Sequence, residues 1–291
     1  MFSQFIILYL FLGGLGSGLV AVACADSLVL HAVTERSRDQ LSCIQRIKRR
    51  SLTVGFVVLA VGCLCLLFDL GRIDRAINLV LRPTATVISF GTFSLLACLG
   101  LSGTLILVDW LSLPRDIPGR VKAALEALCV AASLCVMAYT GLFLQNLVAV
   151  PFWNTPFIPA LFVCSALSMG TSAFLLVASF SREQWALGAS GPALQAIHGG
   201  LVVFEALCLA GLVCSAWLKG GAAALSVGVL FASPLSSWLT IGVLGLGIGA
   251  PFAASVWSLY TKDGSSVALA DVACIIGGLA LRVCVVCAGL H

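Results

Sequence analysis

AYTGLFLQNLVAVPFWNTPFIP, residues 138–159, is the stretch from which the fold is read. An apolar run carrying Tyr139 gives way to an uncharged connector rich in Pro, Trp and Asn, and a second apolar run follows at once. Hydrogen-bonding groups persist there where lipid would discourage them. Lipid is the solvent that the composition demands. Hydrophobic residues make up 60% of the 291 and charged ones only 10%, against about 25% charged in an ordinary soluble domain. Mean hydropathy is +1.12. A protein this poor in charge cannot cover a soluble surface. The net charge of +4 is small, and no Lys/Arg-rich tail with interleaved aromatics suggests a nucleic-acid partner.

Working outward, the sequence reads as an all-α integral membrane protein. Eight apolar segments, at residues 5–30, 52–70, 88–110, 123–147, 157–180, 198–218, 238–260 and 267–290, can each cross as a transmembrane helix. A helix is the only non-barrel way for each to satisfy its backbone. Residues 222–234 are apolar but too short to span, so they read as a re-entrant or interfacial segment. The first segment contains Ala23-Cys24-Ala25, which resembles a cleavage site. It lacks a preceding Lys or Arg and is followed by a basic loop, the reverse of a signal peptide. Loops after helices 1, 3, 5 and 7 hold Arg36, Arg38, Arg46, Lys48, Arg49, Arg50, Arg115, Arg120, Lys122, Arg182 and Lys262. Those after helices 2 and 6 hold only Arg72, Arg75, Arg82 and Lys219. The positive-inside rule then predicts both termini outside.

Thirteen cysteines invite a metal-site reading, but nearly all lie within apolar runs, where they serve as small hydrophobes. Cys63-x-Cys65 and Cys284-x-x-Cys287 lack a second pair at zinc-site spacing. Neither a resident metal nor an iron–sulphur cluster is expected in this protein. His31, His198 and His291 are the three histidines and fall at chain or loop margins in this reading, so no membrane haem is expected. No phosphate-binding GxxxxGK[ST] loop occurs.

The predicted topology brings several polar groups to a common depth near the outer face: Tyr9, Asp69, Arg72, Tyr139, Trp153 and Asn154. A buried tyrosine hydroxyl needs a partner. For Tyr139 this is either the backbone of a neighbouring helix or a carbonyl such as that of a quinone. Gly14-x-x-x-Gly18 on helix 1 admits a closely packed helix, or leaves a slot for a flat ring. Asp69 stands where an unpaired carboxylate is costly, so it pairs with an Arg or accepts a proton. Deeper or on the inner side lie Asp26, Asp109, Glu126, Glu205 and Asp271, with Arg282 inside helix 8. Asp26, Glu126, Glu205 and Arg282 are candidates for a proton route, the alternative being a static Arg282–carboxylate pair.

Taken together, Tyr9-Leu-Phe-Leu-Gly-Gly-Leu-Gly-Ser-Gly18, Asp69-Leu-Gly-Arg72, Leu81-Arg-Pro83, Tyr139-Thr-Gly141, Pro151-Phe-Trp-Asn154 and Gly277-Gly-Leu-Ala-Leu-Arg282 resemble the NrfD/PsrC family, the membrane subunits of polysulphide-reductase-type complexes. The resemblance implies two four-helix bundles, here residues 1–150 and 151–291, in a multi-pass protein of the bacterial inner membrane. It implies a quinone, menaquinone or ubiquinone, bound at the outer face as an exchangeable substrate. It implies that Tyr139 and Tyr9 contact the quinone; their shared predicted depth adds Arg72, Trp153 and Asn154 as expected contacts and Asp69 as the expected proton acceptor. Some members carry histidine at the Tyr9 position, and tyrosine is the poorer proton shuttle. Implied partners are an iron–sulphur subunit with ferredoxin-like clusters and a catalytic subunit, either a molybdopterin enzyme or a multihaem cytochrome. Two other readings stay open on the residues. One is a secondary transporter, with 222–234 as its re-entrant element. The other is a purely structural membrane anchor.

Overall fold

About 20 apolar residues make a helix long enough to cross the hydrocarbon core, and each of the eight apolar runs contains that many or nearly so. A computed structural model describes residues 4–32, 38–70, 86–110, 119–181, 184–187, 190–232, 235–261 and 268–289. Among the described residues there is no strand, and eight helices are long and apolar enough to span a membrane. In sequence order they are α1 (Gln4–Ala32), α2 (Arg38–Leu70), α3 (Val87–Trp110), α4 (Gly119–Gln145), α5 (Phe157–Phe180) and α6 (Ser190–Lys219), then α8 and α9 (Ala268–Ala288). The short α7 (Gly221–Ala232) lies between α6 and α8. Helix α8 joins Leu235–Ser237, a π-helical stretch Trp238–Gly249, and Ala250–Thr261.

Two helices begin two or more turns earlier than hydropathy predicts. The basic stretch before residue 52 is helical from Arg38, not a loop. Its amphipathic face buries Cys43, Ile44 and Ile47, and even Lys48 is turned inward. Helix α6 begins at Ser190, so His198 is not at a margin: it stands two turns inside and is buried. The short apolar run forms α7, about 18 Å long at 1.5 Å per residue. Gly220 and Gly221, at φ +67° and +54°, supply the left-handed backbone that turns the protein from α6 into α7.

Helix α1 is the hub and packs against α2, α4 and α5. Apolar side chains gain nothing by leaving lipid for one another, so close approach through small residues holds such bundles together. A Cβ on Gly16 would lie 2.7 Å from the Leu59 nitrogen of α2. On another side of α1, a Cβ on Gly18 would overlap the Ala166 carbonyl of α5, and one on Gly170 would strike Gly18. Gly141 of α4 meets Pro159 of α5 in the same way. In α8 the wide π turn, in which the Ala250 N–H donates to Gly245 O, lets Gly247 lie against Gly277 of α9. Large apolar side chains such as Phe68, Leu207 and Ile241 point outward. The thirteen cysteines are free, and Cys214 faces outward where its apolar surroundings in sequence suggest burial.

Candidate functional site

Tyr9 stands in the second turn of α1 and Tyr139 near the C-terminal end of α4, so antiparallel packing brings them to the same end of the bundle. Both side chains are buried. Their hydroxyls lie within electrostatic reach of each other and of Cys63 on α2. Gly91 of α3 makes the room, because a Cβ there would overlap the Tyr139 ring. Phe143 lines the next turn, its ring 6.2 Å from that of Tyr139 and tilted by 53°. Tyr9 Oη makes no well-formed hydrogen bond among the described residues although the residue is 2% exposed. The Tyr139 hydroxyl is its nearest polar neighbour. The four helices α1 to α4 thus gather Tyr9, Tyr139, Cys63 and Phe143 into one buried cluster, in which the two phenols face each other. A phenol can donate to or accept from a neighbouring oxygen.

The other expected contacts fall in different places. Asp69, half-buried, ends α2 beside Phe68, whose ring packs 6.3 Å from Phe5 one turn above Tyr9. It therefore shares the end of the bundle with the two tyrosines. Arg72 lies outside the described residues, as do Asp74, Arg75, Asn78, Arg82 and Pro83. Trp153 is directed to α9, where its Nε1 donates to Val285 O at 2.9 Å. Val285 is in the last turn of α9, whose carbonyls have no partner within the helix. The indole therefore acts as a cap, and Gly289 leaves space for the ring. Trp153→Phe is expected to lower thermal stability by about 1 kcal/mol, the net worth of one such bond, measured by melting in detergent. Asn154 is exposed, and its carbonyl and that of Pro151 accept hydrogen bonds from Lys219 at the end of α6. Thr140 bonds to Met137 O of its own helix at 2.6 Å.

The charges inside the bundle form two clusters. Glu126 of α4 is fully buried at the basic end, where it accepts from Lys48 of α2 and, at 3.2 Å, from Ser27 of α1. Asp26 adjoins that cluster in sequence and is half-buried. Arg282 of α9, 0% exposed, reaches Ser165 Oγ of α5 at 2.7 Å and its own Gly278 O at 2.9 Å. Its Nε lies 3.4 Å from Leu10 O of α1, and the guanidinium sits 5.3 Å above the Phe162 ring. Buried Glu205 of α6 is within electrostatic reach of Arg282 and close to Ser165. Of the four proton-route candidates, Glu205 and Arg282 come together, and Glu126 is paired elsewhere.

One group escapes the sequence reading. His198 Nε2 lies 3.2 Å from both Ser168 Oγ and Ser172 Oγ of α5 and 3.7 Å from Cys274 Sγ of α9. Ser168 Oγ is 3.3 Å from the same sulfur. The signal is present as three stripes at helical spacing: Ser165, Ser168 and Ser172; His198 and Glu205; Asp271, Cys274, Gly278 and Arg282. Among the described residues no three of His, Cys, Asp and Glu are grouped to hold a metal ion.

Two likenesses to known proteins bear on this geometry. The family model described as "Polysulphide reductase, NrfD" matches residues 1–291. The C subunit of the polysulfide reductase of Wolinella succinogenes is 25% identical over 232 residues, covering 75% of this protein and 71% of that one.

Proposed function

Since the protein belongs to the NrfD family of polysulphide reductase, we propose that it is the quinone-interacting membrane subunit of a respiratory oxidoreductase complex. The observation that carries this reading is the pair of buried phenols, Tyr9 against Tyr139, with Gly91 leaving room for the Tyr139 ring. A quinone or quinol, menaquinone or ubiquinone, enters from the bilayer, and its oxygens meet the two phenols. Each phenol can donate or accept, so the pair can hold both redox states of the ring. Electrons pass between the quinol and an iron–sulphur subunit docked at this end, and on to a catalytic subunit of molybdopterin or multihaem type. The site permits either direction.

Asp69 exchanges the protons of that chemistry with the adjacent solvent, and Arg72 contributes to quinone binding. The connector with Trp153 and Asn154 forms the rim on which the partner sits. Both termini face outward from a bacterial inner membrane, because the Lys- and Arg-rich helix ends then face the cytoplasm. Residues 1–150 and 151–291 form two four-helix units joined where α1 meets α5, the first holding the quinone.

Co-expression of Tyr139→Phe with the partner subunits tests the assignment. Quinol-dependent electron transfer should fall about 3- to 10-fold, the worth of roughly 1 kcal/mol of hydrogen bonding, in a complex that still assembles. Wild-type turnover by an assembled Tyr139→Phe complex would reject the pocket. A transporter or a simple anchor would show no quinone-analogue binding at all.

A further inference from the structure

Helix α2 is longer than a membrane needs. Residues 52–70 rise about 28 Å along it, close to the hydrocarbon thickness, so residues 38–51 stand at headgroup depth or beyond. Trp110, 60% exposed at the end of α3, marks the same level, because tryptophan favours the boundary between lipid and water. The Arg49 guanidinium lies 5.2 Å from the centre of the Trp110 ring, close enough for a cation–π contact. That contact holds a long side chain in place and asks nothing of its N–H groups.

The neighbouring charges are directed elsewhere. Asp109, next to Trp110, is taken by Lys122 of α4, whose Nζ lies 2.7 Å from its Oδ1. Lys48 is turned inward to Glu126. Arg50 reaches α5, where its Nη1 donates to Ser181 Oγ at 2.6 Å. Arg49 has no carboxylate partner among the described residues. Arg46, one turn earlier on α2 and exposed, adds a second cation.

Below the Arg49–Trp110 pair the surface turns apolar. Trp110, Leu107, Gly103 and Gly100 share one face of α3, and Arg49, Phe56 and Val57 share one face of α2. A Cβ on Gly103 would sit 3.5 Å from Phe56 Cε2, whereas one on Gly100 would meet nothing within 4 Å. Leu107 and Val57 are exposed. The two glycines therefore leave a shallow furrow beside α2 that is open to lipid. From Trp110 to Gly100 it descends about 15 Å, half the hydrocarbon thickness and so the depth of one leaflet.

We propose that Arg49 and Trp110 form a binding site for an anionic phospholipid, with its phosphodiester on the guanidinium and one acyl chain in the furrow. Two N–H groups of an arginine match two oxygens of a phosphate. The ring has already limited the freedom of the side chain, so little entropy is lost on binding. A free anion would gain nothing from the apolar furrow, which is why a lipid is the occupant. A zwitterionic headgroup would bring its own cation up to Arg49 and is disfavoured. The lipid bridges α2 and α3, from which Cys63 and Gly91 approach the two tyrosines. None of this depends on the quinone reading.

The test offers phosphatidylglycerol or phosphatidylcholine to the full-length protein in neutral detergent. Native mass spectrometry counts the retained lipid, and melting follows stability. The wild type should retain phosphatidylglycerol in preference and melt higher with it. Arg49→Gln should lower that preference about fivefold, the worth of one cation beside an anionic lipid. Trp110→Leu should lower it less. Arg50→Gln makes the same change in charge one residue away and should leave the preference unchanged. Where Arg49→Gln does not fold, Arg49→Leu replaces it with the same loss expected. Equal retention of the two lipids by the wild type would overturn the site. Equal losses in the Arg49 and Arg50 variants would overturn it too, by showing attraction to charge in general. A rise in melting temperature with inorganic phosphate equal to that with phosphatidylglycerol would replace the lipid by a free anion. Each of these results would leave the quinone reading standing.

Discussion

Gly18→Ala is expected to cost the protein about 3 kcal/mol or more, the upper range for forcing a methyl group into a filled core. The added Cβ would overlap the carbonyl oxygen of Ala166. That oxygen belongs to helix backbone, and Gly170 presses back from the same turn, so neither side has a flexible side chain to move. Helices α1 and α5 would have to separate, and the groups buried between them would separate as well. The contrast is Gly100→Ala in α3, where a Cβ meets nothing within 4 Å. There the same substitution should be neutral or should stabilise by up to about 1 kcal/mol, because alanine favours helix over glycine. Melting of the two variants in detergent, or the yield of monodisperse protein, distinguishes them. Equal behaviour would show that α1 and α5 are not in backbone contact.

Removing the charge of Arg282 should have an effect of similar size through a different cause. In Arg282→Met, Ser165 Oγ and Leu10 O lose their donors, and Glu205 loses the cation in its neighbourhood. Breaking a buried charge partnership from one side costs about 3–5 kcal/mol. A large drop in melting temperature is therefore expected. Adding Glu205→Leu should recover much of the loss, because replacing both charges by packed apolar side chains is often close to neutral. Arg282→Lys keeps the charge but not the planar fork that serves several acceptors, and should fall between. If the double variant is no more stable than Arg282→Met, then Glu205 and Arg282 are not coupled. The two groups would then be independent members of the core.

The spans are legible in the sequence because each is a local property, a run of apolar residues longer than any soluble helix needs. Features that depend on a distant partner are less so. Residues 38–51 look like a charged loop to a hydropathy window, yet Ile44 and Ile47 point inward and Lys48 meets a carboxylate 78 positions away. His198 looks marginal because Ser190 to Gln195 is polar enough to hide the start of α6. Predicted depth groups Trp153 with the two tyrosines. Its partner is instead a helix-end carbonyl of α9, and nothing near Trp153 in sequence announces that contact. Depth and family resemblance together anticipate the meeting of Tyr9 with Tyr139. What the structure adds is the means, Gly91, which leaves the Tyr139 ring its space.

The quinone pocket itself is best probed by irradiating a photoreactive quinone with the assembled complex and identifying the labelled peptides by mass spectrometry. The label should fall on α1 around Tyr9, α2 around Cys63, α3 around Gly91 and α4 around Tyr139. Excess unlabelled quinone should suppress it, and Tyr139→Phe should weaken it. Labelling confined elsewhere, for example to the apolar groove between α8 and α9 lined by Leu246, Ala254, Trp257 and Ile276, would refute a quinone held by the two tyrosines.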